Sequence, residues 1–279
     1  MKNILQILQS AVVIMTPLLF AAAGGLFTEL SGMLNIALEG LLLAGAFAAI
    51  TAVHFTGSFA AGIAAAIIVS IVLSALHAFS SIKLRSNVFI SGLAANLLAG
   101  GLTVVLSQQF FNTRGVVALP VSMPFIDIFI YAGLFLLFVS WLVLYKTPFG
   151  YRLRACAMDT AALSSLGINP NKYRFSAFLI CGFFCGIGGS FLGLNLGAFV
   201  PNMTAGKGWI ALVIIFLGGR RPLGVLIAAF VFGLAEAFSN HAQGFLSIPA
   251  DFILAMPYVL TFFAIIFVSV LTKRKNRVM

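Results

Sequence analysis

Apolar runs long enough to cross a bilayer recur along the chain, separated by short polar gaps that hold almost all of the charge. A helix needs about 20 apolar residues to cross a hydrocarbon core of about 30 Å. The pattern predicts spans at 4–26, 33–53, 59–81, 88–107, 126–145, 171–196, 222–240 and 252–272. A ninth, shorter run, Trp209–Leu217, lies between Lys207 and the pair Arg220 and Arg221. Helices follow because each satisfies its own backbone hydrogen bonds in lipid. A barrel would show alternating segments of about 10 residues rather than unbroken runs such as Ala60–Ala78. The N-terminal run has only Lys2 before it and Ala21, Ala22 and Ala23 near its end, which resembles a signal peptide; it reads as a retained first span.

Composition agrees. Hydrophobic residues make up 62% and charged residues 8% of the 279 positions, against about 25% charged in a soluble domain. The expected architecture is a single all-α polytopic membrane domain, 1–279, with about 8–9 transmembrane helices, one of them a short or half-span. With glycines on both sides, the 209–217 run reaches only about 20 Å. It is either a half-helix buried against protein or a short crossing beside a cavity.

The net charge of +10 would suggest nucleic acid in a soluble protein. Its distribution points to orientation instead, with no nucleic-acid role. If the chain weaves and the short run crosses, 13 of the 16 basic residues fall on one side: Lys83, Arg85, Lys146, Arg152, Arg154, Lys172, Arg174, Arg220, Arg221, Lys273, Arg274, Lys275 and Arg277. The positive-inside rule makes that side cytoplasmic, with the C-terminus inside and the N-terminus outside.

The 146–170 connection has its own grammar. Thr147-Pro148-Phe149-Gly150 breaks the preceding span, Asp159 is a good N-cap for a short helix through Leu166, and Gly167 is a good stop. This capped segment fits a docking element or a solvated loop on lipid headgroups equally well. Gly182, Gly186, Gly189, Gly193 and Gly197 form a small-residue face of one span, as close helix packing in lipid requires. No internal duplication is legible.

Six acidic residues are present, and Glu39 stands out within Leu34-Asn35-Ile36-Ala37-Leu38-Glu39-Gly40. A charge in the membrane core costs at least about 2.5 kcal/mol, so such a carboxylate is a functional candidate. Asn35 shares its helix face, and Asn96 lies mid-span. These three are the candidate pathway residues; the alternatives are that Glu39 reaches the cytoplasmic interface or braces a neighbouring helix, and that Asn96 makes an interhelical hydrogen bond. Glu236, Asn240 and His241 read as a solvated outer rim. Cys156, Cys181 and Cys185 read as small apolar filler, with no metal site. No catalytic motif and no phosphate-binding loop is present. The chain reads as a non-enzyme without its own ATP site, so active transport would draw on a partner or an ion gradient.

Four blocks give a resemblance: Glu29 through Gly45, with its Ser31-Gly32 and Asn35-Ile36-Ala37-Leu38-Glu39-Gly40; Ser86-Asn87 with Ile90-Ser91-Gly92-Leu93 and Asn96-Leu97-Leu98; Thr147 through Arg154 with Ala161, Gly167 to Asn171 and Tyr173-Arg174; and Ala205 through Ala211 with Gly218 to Gly224 and Phe232 to Ala237. Pro257 to Thr261 adds a tail match. They cover nearly the whole chain in order. The chain resembles permease subunits of ABC importers of the branched-chain amino acid and ribose family, in its nucleoside or simple-sugar branch. The resemblance implies a type II, vitamin-B12-importer-like fold in a bacterial cytoplasmic membrane. It implies a second permease subunit, most often a different chain, a cytoplasmic ATP-binding-cassette ATPase that binds the ATP, and an external substrate-binding protein or lipoprotein. It places the ATPase-coupling helix in the third block, matching Asp159, Thr160, Ala161, Ala162, Leu163, Ser164, Ser165 and Leu166. The expected solute is a purine nucleoside; a simple sugar or a riboflavin-like vitamin are alternatives, and an ion-coupled secondary transporter is the alternative class.

Overall fold

The computed structural model describes residues 2–119 and 126–242, and Val259 by itself beyond them. Ten α-helices are described: α1 Lys2–Leu30, α2 Leu38–Thr56, α3 Phe59–Ala78, α4 Val88–Phe111, α5 Ile126–Lys146, α6 Pro148–Met158, α7 Thr160–Ser165, α8 Pro170–Leu196, α9 Lys207–Leu217 and α10 Pro222–Ala242. Seven are long and apolar enough to cross a membrane, and α9 is a shorter apolar helix. The expected 252–272 span and the tail at 273–277 lie outside the described residues. Val117–Ala118 and Ala198–Phe199, β1 and β2, form a two-residue antiparallel ladder.

Local chemistry sets the helix ends. Ser58, Asn87, Thr147 and Asn169 cap α3, α4, α6 and α8, and Pro148 and Pro170 fill first-turn positions where an N–H has no helical partner. Gly57 and Gly197 end α2 and α8 with positive φ. A single π-turn, Phe79–Lys83, finishes α3.

α2 and α8 are the most buried spans, and α1, α9 and α10 complete the same core with smaller contributions from α4 and α5. The glycine face of α8 meets two helices in succession. A methyl at Gly182 or Gly186 would strike α3 backbone at Ser70 and Ile71 or Ala66 and Ile67; one at Gly189 or Gly193 would strike α2 near Leu42 and Ala46. Small residues here let backbones touch, so van der Waals packing can drive association where lipid removes the hydrophobic force. Gly197 belongs to the helix cap and meets nothing within 4 Å.

A repeat that the sequence conceals appears in the packing. Long α1 is followed by the irregular segment 31–37, then α2 and α3; long α8 is followed by 197–206, then α9 and α10. The partners are exchanged: α1 packs on α9 and α10, and α8 on α2 and α3. α1 and α8 are antiparallel, since Gly24 meets Cys181 while Gly188 meets Phe20. The two halves therefore run in opposite directions, as in inverted repeats.

The basic gaps meet at one end of this bundle. Arg220 pairs with Glu29 at 2.8 Å. Arg174 donates to the carbonyls of Ser31 and Cys156, and Arg152 donates to the Tyr173 hydroxyl. Lys83 and Lys172 share a groove.

Candidate functional site

The chain leaves α1 at Leu30 and turns at Gly32, whose φ of +80° is open to glycine and whose Cα side faces Ala157. It then climbs without helix to Leu38. Asn35 is 1% exposed. Its Oδ1 accepts from Ala37 N at 2.9 Å and its Nδ2 donates to Cys181 Sγ at 3.2 Å. Cys181 lies eleven residues past Pro170, roughly 16 Å along the α8 axis at 1.5 Å per residue. Asn35 thus sits near mid-depth, and α2 begins inside the bundle.

A helix beginning there has N–H groups without water. Asn96 on α4 accepts from Gly40 N at 2.7 Å and donates to the Ile36 carbonyl at 3.0 Å. Gly40 leaves the room for this: a methyl there would collide with Asn96. The two asparagines together hold the broken start of α2.

Glu39 serves the other half-helix. Its Oε1 accepts from Gly206 N at 2.8 Å and its Oε2 from Gly208 N at 2.6 Å. α9 begins at Lys207 with Gly206 as its N-cap, φ +84°, and has no side-chain cap of its own. Glu39 supplies that cap from α2, and the positive ends of both half-helices lie beside its charge. A methyl at Gly208 would strike the Glu39 backbone. The carboxylate is thus satisfied by backbone amides, and among the described residues no cation pairs with it.

Lys207 is occupied elsewhere. Its Nζ pairs with Glu236 on α10 at 2.8 Å, and both side chains are about four-fifths buried. The sequence reading placed Lys207 on the outer side and Glu236 on a solvated rim; the structure draws both into this junction. The 209–217 run lies in α9, an 11-residue helix that begins against Glu39 and follows the irregular segment 197–206. The glycines flanking Lys207 were the available signal.

All three residues expected along the pathway therefore converge where α2 and α9 begin. Their hydrogen bonds go to two backbone breaks and Cys181. They tie two discontinuous helix starts to the rest of the bundle, the arrangement in which irregular backbone is tolerated at membrane depth.

At the basic end, α7 spans Thr160–Ser165. Asp159 Oδ1 accepts from Ala161 N at 2.8 Å and Ala162 N at 3.0 Å. Leu163 is buried beneath it, while Ala161, Ala162, Ser164 and Ser165 are exposed. Two large apolar side chains flank it in the open, Met158 and Leu166, 88% and 74% exposed. Met158 was not singled out from sequence. Beneath, Cys156 is buried, and burial pushes its thiol up from the ordinary cysteine range.

Comparison with known proteins adds the family. Residues 6–271 match the family described as branched-chain amino acid transport system / permease component. The guanosine ABC transporter permease protein NupQ of Bacillus subtilis is 33% identical, over 93% of this chain and 90% of its own. The nucleoside ABC transporter permease protein NupC of Lactococcus lactis is 31% identical, over 93% and 91%. A Haloferax volcanii protein provisionally named as a glucose ABC transporter permease, TsgC13, is 31% identical, over 88% and 80%. The chain belongs to the branched-chain amino acid transport system / permease component family, and is the non-enzymatic, multi-pass permease subunit of an ATP-binding-cassette importer.

Proposed function

We propose that this permease carries purine nucleosides inward. The observation that carries the reading is similarity to guanosine and nucleoside permeases along nearly the full chain, at 33% and 31% identity. A simple sugar is the second reading, favoured by the glucose-named relative. The permease works with an ATPase and a substrate-binding protein, as ABC importers do. This chain holds no cofactor, and the ATPase binds the ATP. A second permease, a different chain, completes the pathway. Asn35, Glu39 and Asn96 shape its wall by fixing the two half-helices, and Asp159 through Leu166 receive the ATPase.

The test is uptake of labelled guanosine in a host lacking its own nucleoside uptake, with the permease and its partner subunits expressed together. Saturable uptake, displaced by inosine and unaffected by glucose, ribose or riboflavin, is expected. Labelled glucose entering without guanosine would establish the sugar reading. Uptake should stop when the partner ATPase is inactivated. Persistence there, with collapse on adding an uncoupler, would point to an ion-coupled carrier.

Sidedness follows from the basic residues gathered at one end of the bundle, which the positive-inside rule assigns to the cytoplasm of a bacterial inner membrane. The C-terminus is on that same side. A cysteine placed at exposed Ser164, in a variant without the native cysteines, should resist an impermeant maleimide in intact cells and react after permeabilisation. Labelling in intact cells would invert the topology.

A further inference from the structure

At the basic end, the close of α3 and the start of α8 form an open groove of about 460 Å³. Ala78, Phe79, Ile82 and Lys83 line one side, and Asn171, Lys172, Phe175 and Ser176 the other. The order of these residues along the helices carries the argument. α3 runs toward the basic end and α8 runs away from it. On both, a lysine lies toward the outer end of the groove, beside Asn171 in the case of α8, and a phenylalanine lies roughly one turn deeper: Lys83 below Phe79, and Lys172 below Phe175. The π-turn holds Phe79 and Lys83 within one turn of backbone, with Leu84 N donating to the Phe79 carbonyl. Phe79 is half-exposed, and the open ridge continues inward from it through Leu76, Val72 and Ile68 on α3.

None of the lining residues is acidic. Among the described residues neither lysine has an ion-pair partner. The carboxylates Glu29 and Asp159 are engaged elsewhere, Glu29 by Arg220 and Asp159 by the amides of Ala161 and Ala162. Two cations thus stand at the rim of a cleft whose floor is aromatic and aliphatic, at the depth where lysines reach for headgroups. A soluble anion would find charge here but no use for the apolar floor and ridge. A phospholipid uses both.

We propose that this groove is a binding site for an anionic phospholipid, with the headgroup phosphate between Lys83 and Lys172 and an acyl chain along Phe79 and the exposed α3 ridge. The site needs no particular solute and stands whether the importer carries nucleosides or sugars. It ties the end of α3 to the start of α8, the helix that leads directly from α7.

The assembled importer in nanodiscs of equal parts phosphatidylglycerol and phosphatidylcholine would be examined by native mass spectrometry for retained lipid. Two lysines at a membrane surface should favour retained phosphatidylglycerol about tenfold or more. Replacing both (Lys83→Gln with Lys172→Gln) should bring the two lipids to parity, and Lys83→Arg with Lys172→Arg should keep the preference. Arg85→Gln, in the same connection but outside the groove, should also keep it. An unchanged preference in the double glutamine variant would overturn the proposal. So would loss of the ATPase from that variant with lipid retention intact, which would make the groove a protein contact. Both lysines are exposed, so the single variants serve equally if the double one assembles poorly.

Discussion

Replacing Glu39 by Gln is expected to reduce uptake more than about tenfold while the protein still reaches the membrane. Glu39 uses one oxygen for Gly206 N and the other for Gly208 N. Glutamine has the same length but only one acceptor, and its amide NH2 would face an N–H donor. One of the first amides of α9 would then lose its side-chain partner in a part-buried junction. Hydrogen bonds to charged groups contribute about 1.5–3 kcal/mol each, and the orphaned donor adds its own desolvation cost. A factor of ten corresponds to about 1.4 kcal/mol, so losing one such bond suffices. The negative charge facing two helix N-termini is lost as well. Amide hydrogen exchange at 206–209 should accelerate in the variant, while the rest of α8 and α10 keeps its protection. Glu29→Gln is the contrast. Its partner Arg220 is 57% exposed although Glu29 itself is 11% exposed; with its cation open to solvent the pair is screened, so uptake should change less than in the Glu39 variant. Wild-type uptake in the Glu39 variant, with unchanged exchange at 206–209, would reduce Glu39 to an incidental contact.

The span positions were legible because hydropathy reports burial in lipid directly: predicted 59–81 and 88–107 match α3 and α4 closely. Asp159 was legible because capping is local chemistry, readable within four residues. The role of Glu39 was half visible. Its depth follows from position in an apolar run, but its partners are 167 and 169 residues away, and no local rule reaches that far. Asn96 is similar, 56 and 60 residues from the two backbone groups it binds.

The repeat was hidden for a different reason. Packing in lipid asks only for small residues at crossing points. The two halves share Gly24-Gly25 against Gly188-Gly189, but α2 opens with Leu38-Glu39-Gly40 and α9 with Lys207-Gly208-Trp209, so the two helix starts carry opposite charges one position apart. Those opposite charges never pair with each other. Each half-helix start is instead closed by a side chain from outside it, Asn96 for α2 and Glu39 for α9. The fold repeats while the chemistry at the corresponding positions diverges.

The other large effect is expected at α7, where Ala162→Trp should separate ATP hydrolysis from transport or release the ATPase. The helix is six residues long and anchored underneath by Leu163 alone. Its outer surface is Ala161, Ala162, Ser164 and Ser165, all small and exposed. A surface so flat admits close approach of another protein, and Met158 and Leu166 on either side offer apolar anchors that none of the described residues covers. An indole at position 162 would hold an opposing surface several ångströms away. Because Ala162 contacts none of the membrane helices through its outward face, the spans should fold normally, with unchanged abundance and thermal unfolding. Asp159→Ala acts on the same helix by another route. It removes the acceptor for two amides and costs about 1 kcal/mol, so transport should fall only modestly. The order of effects, large for bulk at 162 and small for the lost cap, separates a docking surface from a merely fragile helix. If the tryptophan variant still co-purifies with the ATPase and keeps transport-linked ATP turnover, the docking surface lies elsewhere, and the basic residues Lys273, Arg274, Lys275 and Arg277 become the next segment to test.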